Sequence, residues 1–329
     1  MANAIDLHCD TLMKSFLYKG IDSDVFEAPE YDVDIKRLLK AQAMAQFFAI
    51  FVPPQETYEM LNMEPIAEDD YIEGLYQVFH HTVDRHKDVM DYATNAQDVE
   101  RNWNDGKLSA ILTMEDGVAI HGDMAKLDKY YAMGVRALSL TWNAENSIGA
   151  PNSKDPVMMA KGLTAFGKEA VKHMQEIGML VDVSHASDGT FWDVYKSAQV
   201  PFVATHSNCR AVCPHTRNMT DEMIRALAEK GGVMGINFCP PFLDDTPGNQ
   251  ISRIDEMVAM ALHEKEVAGT ADVIALGSDF DGFEGTKEVG GPDQMHLLFD
   301  ALVRAGFTAK EVDQIAYGNI LRVMKEAMR

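Results

Sequence analysis

The feature that most constrains this chain is a set of apolar, strand-like runs that each end on side chains able to bind a metal ion. The runs read AIDLHCD at 4–10, SAILTMED at 109–116, LVDVSH at 180–185, FVATH at 202–206 and VIALGSD at 273–279. They are scattered over most of the sequence, so only a fold that gathers strand ends can bring these side chains together. A parallel α/β barrel does so, because the carboxyl ends of its strands share the face that carries the active site.

Strand-like and helix-like segments alternate along the whole chain, as an all-parallel closed sheet requires. Three more strands are predicted at 43–51, 135–142 and 232–238, which makes eight. The predicted helices lie at about 65–90, 161–177, 251–268, 293–305 and 308–328, with one more that Thr220 opens and Gly231 and Gly232 end. A doubly wound open sheet is the alternative, but no Rossmann-type glycine fingerprint follows the first strand. We therefore predict a (β/α)8 TIM barrel, with residues 1–329 as one catalytic domain ending in helices.

The charge balance excludes two classes of partner. The 51 acidic and 29 basic residues give a net charge of -22, which repels nucleic-acid phosphates and anionic lipid headgroups.

No apolar run approaches the ~20 residues of a membrane span. The first strand begins within a few residues of the start, which leaves no room for a signal peptide. Four irregularly spaced cysteines do not suggest a disulfide framework, so we expect a cytoplasmic protein.

His8 and Asp10 introduce the metal hypothesis, because residues two apart on a strand point the same way. Alone, each candidate has an ordinary explanation: Asp10 can cap a helix, Glu115 can be a first-turn acid, and a lone His185 or His206 is more often structural. Histidine fills only 11 of 329 positions, however, yet stands at or beside the ends of three separate strands. The strand ends are assigned with the histidines already in view, which makes this coincidence less surprising than it looks. Metal binding is still the better interpretation.

The donor set suggests which metal and how many ions. Neutral imidazoles with two or three carboxylates suit Zn²⁺ or a similar first-row ion. One ion would not use them all, whereas a pair roughly 3.5 to 4 Å apart, bridged by a carboxylate and a hydroxide, fits the number of donors and is suited to hydrolysis. The fourth predicted strand has no lysine at its end to serve as the bridge, so Glu115 is the natural candidate.

Several motifs together resemble the membrane (renal) dipeptidase family of zinc peptidases. They are DLHCDTL at 6–12, Glu115-Asp116-Gly117, DVSHAS at 182–187, the THSN…TRN run at 205–218 and GSDFDG at 277–282. The resemblance extends from near residue 5 to NILRVM at 319–324, and the ordered set is specific. It implies a zinc-dependent dipeptidase on an amidohydrolase-type barrel with two Zn²⁺ ions per chain, dipeptide substrates that include L-D dipeptides, and a homodimer.

The resemblance also implies a role for each matching residue. His8 and Asp10 would hold one zinc, His185 and His206 the other, with Glu115 bridging and Asp279 acting as general acid and base. In this mechanism a water between the ions attacks the peptide carbonyl, and Asp279 takes its proton and returns it to the leaving amine. Arg217 matches the family position that grips the substrate's C-terminal carboxylate, a task that suits the planar guanidinium fork.

The chain departs from the family pattern at one place. Several members have histidine in an L-T-H segment after the fourth strand, where this chain has Leu140-Thr141-Trp142 followed by Asn143. That histidine is thought to bind the substrate carbonyl or the oxyanion. Trp142 can offer an indole N–H and Asn143 an amide in its place, but a packing role for Trp142 is an equally good interpretation.

Other groups and other functions stay open at this point. His121, His215 and the pair Cys209 and Cys213 receive no role, and Asp281 is assigned to the loop after the last strand. The first alternative function is another binuclear amidohydrolase, such as a deacylase or lactonase. The second is a non-catalytic metal-binding barrel. An Arg217 side chain that pointed away from the metal ligands would weaken the dipeptidase hypothesis.

Overall fold

The computed structural model describes residues 3–60 and 62–329, and its centre is a closed barrel of eight parallel strands. We number these strands β1 to β8: Ile5–Asp6, Ala45–Phe51, Leu108–Glu115, Val135–Ser139, Leu180–Asp182, Val203–Ala204, Val233–Ile236 and Ile274–Leu276. Each strand pairs in parallel with the next, and Leu276 of β8 pairs with Asp6 of β1 to close the ring. The predicted (β/α)8 architecture is confirmed.

Helices connect the strands. They span Thr11–Lys19, Ile35–Ala41, Gln55–Met60, Glu68–Arg85, Ala96–Asn104, Met124–Ala132, Pro156–Met159, Ala165–Ile177, Asp188–Ser197, Asp221–Glu229, Pro240–Leu243, Ile254–Ala268, Met295–Arg304, Ala309–Asp313 and Asn319–Ala327. Short 3₁₀ turns lie at Gly117–Ile120, Ala271–Val273 and Pro292–Gln294, and a π-helical turn at Gln314–Gly318 joins the last two helices. Outside the barrel, Ile251–Ser252 pairs with Thr286–Lys287. No helix within residues 3–60 and 62–329 is both long and apolar enough to cross a membrane.

The region between β2 and β3 differs from the prediction. The helix predicted at 65–90 ends at Arg85, and Met90–Tyr92 forms a further parallel strand against residues 108–110 of β3. This strand fits there because β4 pairs with β3 only from Leu112 onward. The following helix, Ala96–Asn104, was not predicted. Its N-cap is Asn95, whose side chain accepts a hydrogen bond from the backbone N–H of Asp98.

The strands place the predicted site on one face of the barrel. Every residue of β2 is buried, because a parallel barrel is covered on both sides of its sheet. Glu115 is the last residue of β3. The other predicted ligands and Asp279 follow the ends of their strands by two to four positions: His8 and Asp10 after β1, His185 after β5, His206 after β6 and Asp279 after β8. They therefore lie in the loops at the carboxyl ends of the strands, on the face where barrel enzymes bind substrate.

Candidate metal centre

Four of the predicted residues, His8, Asp10, His185 and His206, lie around the carboxylate of Glu115. Its Oε2 is 3.4 Å from His8 Nε2, while its Oε1 is 2.9 Å from His185 Nε2 and 3.6 Å from His206 Nε2. Asp10 joins the group through Oδ2, which is 3.4 Å from His8 Nε2. The two oxygens of Glu115 thus face different histidines, which is the arrangement of a carboxylate that bridges two positions.

The chemistry of this cluster fits a metal ion. Three overlapping groups have ligand atoms within 4.8 Å of one another: His8, His206 and Asp279; Glu115, His185 and His206; and His8, Asp10 and Glu115. Among the described residues, the buried atoms His8 Nε2 and Asp10 Oδ1 have no hydrogen-bond partner. Buried polar atoms without partners are costly, and a cation between them would remove that cost. Imidazole and carboxylate donors suit zinc or a similar ion.

Burial and charge also set the protonation of the three histidines. Burial lowers the pKa of His8, but the charges of Glu115 and Asp10 outweigh it and raise this pKa well above its usual value. Burial and the charge of Arg217 lower the pKa of His185 to about 4. Burial, together with the charge of His8, holds the pKa of His206 well below its usual value. His185 and His206 are therefore neutral at pH 7, the form in which imidazole binds metals.

Several loop residues of the site adopt the left-handed backbone conformation. His185 has φ of 65° and Asp279 has φ of 61°, and Asp116 and Asp281 also have positive φ. Few residues other than glycine adopt this conformation; aspartate, asparagine and histidine do so more often than most, and such residues are frequent at functional sites. The barrel rim thus holds His185 and Asp279 in backbone conformations that a local sequence pattern does not indicate.

The Asp279 carboxyl group is held with one oxygen toward the cluster. Its Oδ2 accepts a hydrogen bond of 2.9 Å from the side-chain amide of Asn237, while its Oδ1 lies 3.9 Å from His8 Nε2. Burial raises the pKa of Asp279 to about 7. A carboxyl with this pKa can both accept and release a proton near neutral pH.

Arg217 is a buried cation with room for an anion. Only 6% of the residue is exposed, and its Nη2 donates to the His206 backbone carbonyl over 3.0 Å. The guanidinium carbon lies 5.3 Å from the Phe242 ring centre. Its Nη1 donates a long hydrogen bond of 3.4 Å to the Ser207 hydroxyl, and its Nε has no hydrogen-bond partner. Asp279 and Glu115 act on its charge from a distance, but within residues 3–60 and 62–329 no carboxylate forms a direct ion pair with it. Because a buried charge without a partner is destabilising, the arrangement favours a ligand that brings an anion.

One cavity joins the metal-binding cluster to Arg217. Its volume is about 330 Å³, and its wall includes Glu115, His185, Arg217 and Asp279. This volume lies at the lower end of the usual range of ~300 to 1,000 Å³ for small-molecule sites. Arg217 therefore lines the same cavity as the candidate ligands, and its side chain does not point away from them.

Trp142 and Asn143, which stand where the chain departs from the family's L-T-H segment, also line this cavity. The Trp142 ring centre is 4.9 Å from that of Phe51 and 6.1 Å from that of His185. The amide oxygen of Asn143 is 3.4 Å from His185 Nδ1, so it can accept that imidazole N–H. Asn143 therefore faces a candidate ligand as well as the cavity.

Three residues of the site, His215, Asn237 and Gly282, are not predicted from the sequence. His215 lines the cavity, and its Nδ1 accepts a hydrogen bond from the Arg217 backbone N–H over 3.2 Å. Asn237 holds Asp279 from the loop after β7, a contact that no local pattern indicates. Gly282 lines the cavity too, and its place in the GSDFDG motif was the available signal.

The remaining groups have structural contacts. His121 Nε2 lies 2.7 Å from Glu68 Oε1, and His121 belongs to none of the three metal-binding groups. Asp281 accepts hydrogen bonds from the Asp32 backbone N–H and from the Thr11 hydroxyl, so it fastens the loop after β8 to the segment after β1. All four cysteines are free thiols.

Comparison with known proteins identifies relatives of the chain. A family model described as membrane dipeptidase, peptidase family M19, matches residues 1–329. An uncharacterized dipeptidase of Schizosaccharomyces pombe is 30% identical over 303 residues, which cover 89% of this chain and 71% of that protein. An uncharacterized protein of Klebsiella pneumoniae from the pqqA 5′ region is 35% identical over 244 residues, covering 70% of this chain and 86% of that protein.

Solved structures share the fold. A metallo peptidase from Rhodobacter sphaeroides, liganded with a phosphinate mimic of the dipeptide L-Ala-D-Ala, superposes with a TM-score of 0.87 and 22% identity, covering 99% of each chain. The probable dipeptidase PvdM from Pseudomonas aeruginosa gives a TM-score of 0.87 with 19% identity, covering 99% of this chain and 95% of its own. At these identities the likeness shows a common barrel.

Proposed function

The chain belongs to the membrane dipeptidase family, peptidase family M19, and on that premise we propose that it hydrolyses dipeptides with two zinc ions. The ions would be held by His8 and Asp10 on one side and by His185 and His206 on the other, with Glu115 between them. The opposed Glu115 oxygens, each within 3.6 Å of a histidine nitrogen, support this division. When bound, the zinc pair polarises the scissile carbonyl and lowers the pKa of a water molecule.

The observation that carries the dipeptide proposal is the buried, unpaired Arg217 on the same cavity as Glu115. A dipeptide has a free carboxylate close to its only peptide bond, so an anion-binding group near the metal cluster matches it. A guanidinium can offer two parallel N–H donors to such a carboxylate, and the Nε of Arg217 has no other partner. The small cavity also favours a short substrate.

Asp279 would move the proton. Its Oδ2 is fixed by Asn237, which leaves Oδ1 free to face the reacting atoms. With a pKa raised to about 7 by burial, the carboxylate takes a proton from the attacking water and delivers it to the leaving amine. Both transfers use the same oxygen, so the leaving nitrogen must lie within hydrogen-bond reach of Asp279.

Acceptance of a D-residue at the C-terminal position is part of the proposal. The Rhodobacter sphaeroides structure with its mimic of L-Ala-D-Ala supports testing this stereochemistry here. An arginine that binds the carboxylate fixes one end of the substrate, and the side chain of the second residue can then lie on either side of the chain axis.

The test compares L-Ala-L-Ala and L-Ala-D-Ala with their C-terminal amides, using protein of measured zinc content. We expect the amides to have kcat/KM at least about 100-fold lower, because they leave Arg217 buried without an anion. Arg217→Met should remove this preference, whereas the exposed control Arg225→Met should retain it. Equal hydrolysis of acid and amide, or better hydrolysis of N-acyl amino acids or lactones, would contradict the dipeptidase proposal in favour of another amidohydrolase.

A further inference from the structure

Two buried aspartates of the barrel strands make matching pairs of hydrogen bonds to a neighbouring strand end. Asp6 accepts the Ser278 backbone N–H on Oδ1 over 2.8 Å and the Ser278 hydroxyl on Oδ2 over 2.6 Å. Asp182 accepts the Thr205 backbone N–H on Oδ1 over 2.9 Å and the Thr205 hydroxyl on Oδ2 over 2.6 Å. We call these pairs the Asp6–Ser278 clamp and the Asp182–Thr205 clamp. Each joins two adjacent barrel strands, β1 with β8 and β5 with β6.

The repetition extends to the residues that the clamps hold. Ser278 immediately precedes Asp279, and Thr205 immediately precedes His206. All four clamp residues are buried, with at most 4% of any of them exposed. Both clamps therefore sit directly beneath residues of the candidate metal centre, on different sides of the barrel.

The Asp182–Thr205 clamp also reaches an imidazole. Four donors converge on the Asp182 carboxylate: the hydroxyls of Ser139 and Thr205 and the backbone N–H groups of Ser184 and Thr205. The Thr205 hydroxyl hydrogen is thus directed to Asp182, and its oxygen is left to accept. His206 Nδ1 lies 2.8 Å from that oxygen, so Nδ1 must carry the hydrogen.

The tautomer decides what the other ring nitrogen can do. With its hydrogen on Nδ1, His206 presents the Nε2 lone pair toward Glu115 Oε1, 3.6 Å away. We infer that Asp182 is a positioning residue that, through the Thr205 hydroxyl, holds His206 in the tautomer and orientation that bind the metal ion. This inference rests on the proposed function, in which His206 is a ligand. Such outer partners typically change metal affinity by about 10- to 100-fold when they are removed.

Asp182→Asn is the sharpest variant, because the two backbone N–H groups at Asp182 cannot reverse direction. The new amide must keep its oxygen on them and turn its NH₂ group toward the two hydroxyls. The Thr205 oxygen then accepts from this NH₂ group and donates its hydrogen to His206 Nδ1. The imidazole hydrogen moves to Nε2, where it blocks metal binding.

A matched set of variants separates this role from simple packing. Thr205→Val and Ser139→Ala each remove one of the two hydroxyls that donate to Asp182 Oδ2, but of these two hydroxyls only that of Thr205 contacts His206. Thr205→Ser keeps a hydroxyl at this position and should bind zinc as the wild type does. A purely structural role predicts similar effects for Thr205→Val and Ser139→Ala.

The measurement is the Zn²⁺ dissociation constant of the full-length, metal-free protein, obtained by competition with a chelating indicator. We expect about 10- to 100-fold weaker binding for Asp182→Asn and Thr205→Val, with Ser139→Ala and Thr205→Ser within about threefold of the wild type. If Thr205→Val does not fold, the zinc dissociation constants of Asp182→Asn and Ser139→Ala are compared instead. Unchanged affinity in folded Asp182→Asn, or equal losses in Thr205→Val and Ser139→Ala, overturns the inference. A wild-type protein that binds no zinc would instead contradict the proposed function.

Discussion

Gly282 and Asp10 lie so close together that a β-carbon on Gly282 would be only 2.4 Å from Asp10 Oδ2. The same β-carbon would be 2.5 Å from Asp279 Oδ1. Only glycine leaves both carboxylates in place, so Gly282→Ala should lower zinc content and reduce kcat/KM by more than about tenfold. Gly318→Ala is the control, because nothing lies closer than 3.6 Å to its added carbon. Normal zinc content and turnover in Gly282→Ala would show that the loop after β8 yields easily.

Asp279→Asn tests the proton-transfer role. Asparagine tolerates the left-handed conformation of this residue, whose φ is 61°, so the loop should be retained. The amide cannot take up the proton, and we expect both metal ions to remain bound while kcat falls by about 10²- to 10⁴-fold. Metal analysis and steady-state kinetics on the same sample check this. Turnover at the wild-type rate would remove Asp279 from the mechanism.

Glu264 carries a carboxyl group that is fully buried without a partner in the described part of the chain. It lies in the helix Ile254–Ala268, and neither carboxyl oxygen makes a hydrogen bond. Burial raises the pKa of Glu264 well above its ordinary value of 4.5. The folded protein then holds this proton while the unfolded chain releases it, so stability falls as pH rises from about 4.5 toward the raised pKa.

Glu264→Gln should therefore stabilise the protein in a pH-dependent way. Relative to the wild type, the free energy of unfolding should increase by about 1 to 3 kcal/mol at pH 8 and change little at pH 4.5. Urea denaturation at both pH values measures the difference. The exposed Glu266→Gln in the same helix is the control. A stability difference that is the same at both pH values would contradict the buried-acid explanation.

Removing the metal should lower stability as well as activity. The carboxylates of Asp10 and Glu115 are buried within 3.4 Å of His8 Nε2, and a bound cation would compensate their negative charge. Ligand linkage predicts a gain of about 2.7 kcal/mol when free metal is at 100 times its Kd. Chelator treatment should lower the melting temperature and abolish hydrolysis, and added zinc should restore both. A melting temperature that does not respond to chelator would argue against bound metal.

The barrel and the convergence of its strand ends could be predicted from the sequence because both leave local signals. Apolar runs alternate with amphipathic segments, and His8, Glu115 and His206 stand where those runs end. The short strand Met90–Tyr92 was missed, because its three residues follow a long helical pattern and its pairing with β3 is a tertiary contact.

The hydrogen bonds around the site were less accessible from sequence. Asn237 and Asp279 lie 42 positions apart, and Asp6 and Ser278 lie 272 apart, so no local pattern links them. The left-handed conformation of His185 is likewise set by tertiary context. A signal was nevertheless present for the clamps, since an aspartate stands two or three residues before a histidine in both DLH and DVSH.

The most direct test of the central claim is a zinc titration of metal-free protein, with hydrolysis of L-Ala-D-Ala followed at each addition. The arrangement of His8, Asp10, Glu115, His185 and His206 predicts that activity rises from a negligible level to a plateau at two equivalents of zinc per chain. Full activity without added metal, or no hydrolysis of L-Ala-D-Ala or L-Ala-L-Ala at any zinc ratio, would contradict it.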